Sequence, residues 1–180
     1  MTGNLEQLKE ALPDYAKDIR LNLSAVLKED PQSGLSMAQV HGIALASACA
    51  TRHPGVISAM TGETTGTLSV EEINAARAAA VVMAMNNVYY RFIHLAHDAE
   101  LSALPAGLRM NVIGNPGIDK GTFELYSLAV SAINGCGMCM NAHDAVLKKH
   151  GVARDAVQSA VRIGAVIGAV AGVLAYEAAA

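Results

Sequence analysis

The chain has 180 residues, long enough to bury a sizeable core as one domain or as two similar halves. It is 52% hydrophobic but only 4% aromatic and has no Trp, so its interior must be built from Ala, Val, Leu, Ile and Met, side chains small enough for closely packed helices. A net charge of −3 and the absence of any Lys/Arg cluster leave no electrostatic footprint for nucleic acid, which sets that class of partner aside.

Met1-Thr2-Gly3-Asn4-Leu5-Glu6 has neither the basic nor the apolar stretch of a secretory signal, so the expected address is cytoplasmic. Apolar residues at Leu5, Leu8, Leu12, Tyr15, Ile19 and Leu23 keep a helical period that Pro13 interrupts, predicting two short helices or a kinked one. Asp30-Pro31-Gln32-Ser33-Gly34 reads as a loop, and Ser36 can cap a helix whose apolar residues run from Val40 through Ile43, Ala44, Leu45 and Ala48 to Cys49. Cys49, alone in that helix, reads as core filler. Arg52-His53-Pro54-Gly55 breaks or bends the helix, and Thr61 to Thr67 is Gly/Thr-rich and turn-like.

Ser69-Val70-Glu71-Glu72 is a capping box that opens a long Ala/Val/Met helix towards Phe92, its Met residues read as core. His94 and His97 have the i,i+3 spacing of a metal pair, although a solvated helix end fits them better, and Leu101 to Pro105 shows no clear period. Asn115-Pro116-Gly117 is a strong turn, after which Phe123, Tyr126, Val130 and Ile133, with Leu128 between them, mark the helix that carries Glu124.

Asn134-Gly135 ends that helix, and a second begins at or near Cys136. Cys136, Cys139 and His143 then share one helical face, a dithiol with a base beside it. Asp144 points to another face. His150-Gly151 closes the helix with a cation and a C-cap glycine, and a final helix runs from about Asp155 to Tyr176. Its apolar run, Ile163 to Tyr176, falls short of the roughly 20 residues a membrane span needs. Gly164, Gly168 and Gly172 form a smooth stripe for close helix packing, in the core or at a subunit interface. No segment alternates as a strand does, so the fold class is all-α. Helix, turn and capped Ala-rich helix occur twice, which hints at an internal duplication within a single domain over 1–180, with halves at about 36–97 and 119–177.

In one straight helix Glu124 and Cys136 would stand ~18 Å apart, too far for a proton to pass. If the chain reverses at Asn134-Gly135, Glu124 and His143 come level, and the order from the turn becomes Cys136, Cys139, then His143 opposite Glu124. A helix N-terminus favours the thiolate of Cys136, and His143 favours that of Cys139. Lowering a thiol pKa from ~8.5 to ~6.5 raises the thiolate fraction roughly 25-fold, while lower basicity takes back about 8-fold. The gain is only a few-fold, so fast peroxide cleavage needs a group that protonates the leaving alkoxide, worth typically ~10²–10⁴. Cys136 or the His143/Glu124 pair can supply that proton.

The segment Phe123-Glu124-Leu125-Tyr126-Ser127-Leu128-Ala129-Val130-Ser131-Ala132-Ile133-Asn134-Gly135-Cys136-x-x-Cys139-x-x-x-His143 closely resembles the alkylhydroperoxidase D (AhpD) family, within the wider carboxymuconolactone-decarboxylase-like superfamily. The likeness extends to Leu12-Pro13-Asp14-Tyr15-Ala16-Lys17-Asp18, Met85-Asn86-Asn87-Val88-Tyr89-Tyr90-Arg91 and Leu108-Arg109-Met110-Asn111, and so covers essentially the whole chain. The resemblance implies an all-helical homotrimer, an antioxidant thiol peroxidase that reduces alkyl hydroperoxides. It also implies regeneration of a partner peroxiredoxin, the alkyl hydroperoxide reductase C subunit, through a transient interchain disulfide. Electrons would come from dihydrolipoamide on a lipoyl-bearing acyltransferase, with no tightly bound cofactor or metal. Matched by motif, Cys139 is the peroxide-attacking thiolate that passes through sulfenic acid, Cys136 is the proton donor that closes the disulfide, and His143 and Glu124 form a relay. Where members often have His between the cysteines this chain has Met138, which removes a second nearby base. The helix-dipole argument makes Cys136 the more acidic thiol; the two readings coexist if Cys136 is the sulfur attacked when reductant opens the disulfide.

Two other readings stand beside this one. A C-x-x-C-x-x-x-H cluster with Glu124 or another His can hold zinc and staple a helical interaction module, although no second close ligand pair follows it. A thiol-disulfide oxidoreductase without direct peroxidase activity would use the same cysteines.

Overall fold

A computed structural model describes residues 5–179, and among them every regular element is helical. The signal-peptide reading rests largely on Met1 to Asn4, outside the described residues. Pro13 divides the first apolar period: α1 (Leu5–Glu10) stops before it, a 3-10 turn over Asp14–Ala16 follows, and α2 (Lys17–Val26) starts afresh. Ser36 caps α3 (Met37–Thr51) reciprocally, its hydroxyl accepting from the Gln39 N–H while the Gln39 side chain accepts from the Ser36 N–H.

At Arg52 the chain breaks. That residue is left-handed, at φ 61°, and α4 (Pro54–Glu63) begins with His53 as cap and Pro54 at the first helical position. No apolar period marks α4 in the sequence, so the turn-like expectation for Thr61 to Thr67 holds only from Thr64 on. The Ser69/Glu72 box opens α5 (Val70–Ala96), which runs past Phe92 to Ala96. The short helices α6 (Ala99–Ala103) and α7 (Asn111–Gly114) lead to α8 (Lys120–Ile133), whose first turn is capped by Asp119. Then follow α9 (Gly137–Lys149) and α10 (Arg154–Glu177).

Helices α3, α5, α8 and α10 pack on one another around one continuous apolar core, and α9 lies against α8 and α5. The core is closely packed where large and small residues meet: a Cβ on Gly42 of α3 would come within 2.0 Å of the Tyr126 hydroxyl of α8. The expected glycine stripe on α10 is tight at one position only. A Cβ on Gly164 would stand 3.2 Å from the Ala129 carbonyl oxygen, whereas Gly168 and Gly172 face looser surroundings. By length and composition alone the 24-residue α10, with an 18-residue stretch of mean hydropathy 1.7, could cross a membrane. Its Ile163, Gly164, Ile167, Val170 and Ala171 are buried, in a helix that packs on α3 and α8, as in the central helix of a bundle.

Candidate active site

Helix α8 ends in a Schellman arrangement: the Cys136 N–H donates to the Ser131 carbonyl and the Gly135 N–H to the Ala132 carbonyl, each at 3.1 Å, with Gly135 at φ 68°. Glycine is needed at that left-handed position, and the turn folds α9 back along α8. Cys136 is the N-cap of α9, its Sγ accepting from the Cys139 N–H at 3.3 Å. The two cysteines form a disulfide. Cys136 is fully buried, whereas Cys139 is 6% exposed.

The reversal brings Glu124 and His143 level. Glu124 Oε2 lies 2.6 Å from His143 Nδ1, and both side chains are buried. Lys120, one turn before Glu124, places its Nζ 2.7 Å from Oε1 and also donates to the Ile113 carbonyl. Burial pushes the Glu124 carboxyl up, but the hydrogen bonds and charges of His143 and Lys120 outweigh it and hold the carboxyl below its usual range. The other ring nitrogen, Nε2, stands 3.2 Å from the Met83 Sδ of α5. In the disulfide form His143 thus meets a carboxylate on one side and a thioether on the other.

An apolar cavity of about 290 Å³ lies over this group, lined by Met83, Tyr90, Met110, Ile113, Met138 and Val146 together with Glu124, Cys139 and His143. Cys139 faces it and Cys136 does not. Behind the site Asn87 Nδ2 donates to Ser131 Oγ at 2.9 Å, Asn134 Nδ2 donates to Asn87 Oδ1 at 2.9 Å, and Arg91 donates to the Asn134 carbonyl at 2.7 Å. These bonds tie α5 to the turn that presents Cys136.

The four residues expected from the sequence therefore come together. Lys120 was missed, although its four-residue spacing from Glu124 is a readable pair; Met83 carries no local signal, since it reaches the site from another helix. Asp144 faces away, paired with Lys148 at 2.7 Å and Arg154 at 2.5 Å. Cys49 is half-buried, and burial pushes its thiol up. His94 and His97 are exposed at the end of α5, beside a second cavity that shares Tyr90 and Met138 with the first. Met138 is 42% exposed and supplies an apolar wall to the cavity. The described residues hold no group of three or more His, Cys, Asp or Glu placed to bind a metal ion.

A model of the carboxymuconolactone decarboxylase family matches residues 99–180. Over 176 residues the chain is 56% identical to a protein of Hyphomonas neptunium named alkyl hydroperoxide reductase AhpD, covering 98% of this chain and 96% of that one. Proteins of the same name from Rhizorhabdus wittichii and Coxiella burnetii are 54% and 52% identical, over 94% and 96% of this chain and 96% and 98% of theirs.

Proposed function

Since this chain belongs to the AhpD family, we propose that it is an alkyl hydroperoxide reductase that cycles Cys136 and Cys139 between dithiol and disulfide. The observation that carries the reading is a dithiol pair whose one accessible sulfur, on Cys139, shares an apolar cavity with a buried carboxylate–imidazole pair. In the reduced enzyme the Cys139 thiolate attacks the terminal oxygen of the hydroperoxide. An S–O bond forms, the O–O bond breaks, and the alkoxide leaves with a proton drawn from the Glu124–His143 pair. The Cys136 thiol then displaces hydroxide from the sulfenic acid as water, closing the disulfide.

Accessibility and capping support one course for the reopening of the disulfide. On sequence alone, attack of reductant on Cys136 stays open as a way to reconcile the two thiols; the full burial of that sulfur, with Cys139 facing the cavity, favours attack on Cys139. One thiol of dihydrolipoamide attacks Cys139, and Cys136 leaves as a thiolate stabilised by the Cys139 N–H and the start of α9. The second dihydrolipoamide thiol then releases Cys139 and carries away oxidised lipoamide. A lipoyl-bearing acyltransferase as donor, a peroxiredoxin as a second electron acceptor, a homotrimeric assembly and a cytoplasmic address complete the reading; family membership supports them.

Purified protein given dihydrolipoamide and tert-butyl hydroperoxide is expected to turn over. Cys139→Ser should reduce the rate to background, and Cys136→Ser should leave a single dimedone-trappable sulfenate on Cys139. Absence of turnover that persists when the partner peroxiredoxin is added excludes the activity, and a sulfenate trapped on Cys136 in Cys139→Ser reverses the two roles.

A further inference from the structure

Met83 is only 1% exposed, and a methionine that merely filled space would turn its thioether towards carbon. Here Sδ faces nitrogen on two sides, His143 Nε2 at 3.2 Å and Asn87 Nδ2 at 3.9 Å. With Nδ1 already set on Glu124 Oε2 at 2.6 Å, both ring nitrogens of His143 meet acceptors, the arrangement of a ring carrying a proton on each. A lone pair on Nε2 would confront the lone pairs of sulfur.

We propose that Met83 is a positioning residue for peroxide reduction: its thioether accepts the Nε2–H of His143 and holds that proton at the wall of the cavity Cys139 lines, on an acceptor weak enough to release it. The inequality of the two acceptors gives the ring a direction. A carboxylate makes a charge-assisted hydrogen bond roughly twice as strong as a neutral one, whereas a thioether is a weak acceptor. Nδ1–H therefore stays on Glu124 and Nε2–H is the proton given up. Lys120 and Glu124 of α8 are the charged groups facing the ring, Met83, Asn86, Asn87 and Tyr90 of α5 are neutral, and Cys139 is the sulfur on its own helix.

The proton balance closes over the cycle. When Cys139 takes the peroxide oxygen, the alkoxide takes Nε2–H, leaving neutral His143 with Nδ1–H on Glu124. Solvent returns a proton to Nε2 once the alcohol has left, so the disulfide form again donates Nε2–H to Met83, and of the two protons dihydrolipoamide loses on reopening the disulfide one goes to Cys136 and the other to solvent.

The inference rests on the relay reading of Glu124 and His143, so its test has an arm that needs no peroxide. In protein labelled with 15N-histidine, the Nε2 resonance of His143 is expected to move in Met83→Leu, which keeps the volume and removes the acceptor, and to return towards wild type in Met83→Gln, whose amide oxygen restores one. In turnover, the alkaline limb of the kcat/KM profile for peroxide is expected to move to lower pH in Met83→Leu, because Nε2–H has lost its acceptor. An Nε2 resonance and a pH limb both unmoved in Met83→Leu overturn the proposal, as does an equal change in both variants, which marks a packing effect. A wild type without turnover whose Nε2 resonance still responds to the substitution sinks the relay reading, and the positioning role with it, and leaves only the Met83–His143 hydrogen bond.

Discussion

A carboxylate only 2% exposed stays ionised at Glu124 because each of its oxygens has its own partner, Lys120 on Oε1 and His143 on Oε2. Glu124→Gln keeps the shape and removes the charge that anchors Nδ1; kcat/KM for peroxide is expected to fall about 10²-fold, the low end of what general acid catalysis supplies. The same substitution reads the linkage between charge and folding. A carboxyl held below its ordinary range in the folded state contributes stability that is fully present above its unfolded pKa and lost as pH falls through the folded value. In urea melts the gap between wild type and Glu124→Gln should be flat near neutrality and shrink only on acidification below the usual carboxylate range. Lys120→Met removes one of the two partners and brings the folded value closer to the unfolded one, so in that background the loss should be smaller and should end at higher pH. Glu124, Cys136, Cys139 and His143 were legible because each stands at helical spacing on one side or the other of Asn134-Gly135. Met83 was not, because 60 residues separate it from His143 and only tertiary packing brings sulfur to the ring.

At the scale of helices, capping chemistry was the clearest signal. Ser36 and Ser69 close reciprocal boxes and Gly135 takes the left-handed position its turn demands. Where the pattern was silent, local cues were weak: α4 opens on a histidine cap and a proline, with Gly and Thr within it. Crossing distances between helices were not legible at all, because a helical period says which face is buried and nothing about what meets it. Gly42 is the instance that matters, lying under the fully buried ring of Tyr126 where α3 crosses α8. Ala has higher helix propensity than Gly by up to about 1 kcal/mol, but overpacking a closed core costs roughly 1–3 kcal/mol. A methyl 2.0 Å from the Tyr126 oxygen sits at the upper end of that range, so the clash outweighs the propensity. Gly42→Ala is expected to lower stability by about 2 kcal/mol, read as a fall in Tm of roughly 4–8 °C in a chain of this size. A Tm at or above wild type would mean that the α3–α8 crossing gives way.

Across the whole molecule, α3, α4 and α5 are followed in the same order by α8, α9 and α10, and one constant spacing relates their special positions. It carries Arg52 onto Gly135, both left-handed, and His53 onto Cys136, both N-caps whose side chains accept from the N–H three residues on. The same spacing carries His41 onto Glu124, Val56 onto Cys139 and Met60 onto His143. If the chain is the internal duplication its sequence hints at, the first half keeps the turn and cap while the apolar pair Val56 and Met60 stands where the second half has Cys139 and His143. If the scaffold is the common part and the dithiol an addition to it, opening the disulfide should leave the fold in place. The bridge joins residues only three apart at the start of α9, outside the packing of α3, α5, α8 and α10. Loop-closure entropy for so short a ring is on the order of 2 kcal/mol. Dithiothreitol is therefore expected to leave the far-UV CD spectrum unchanged and to lower a single cooperative Tm by no more than roughly 8 °C. A melt that splits in two on reduction, or a loss of helix, would show that the bridge holds α8 and α9 together, and the proposed cycle, which opens it on every turnover, would then require the active site to unfold.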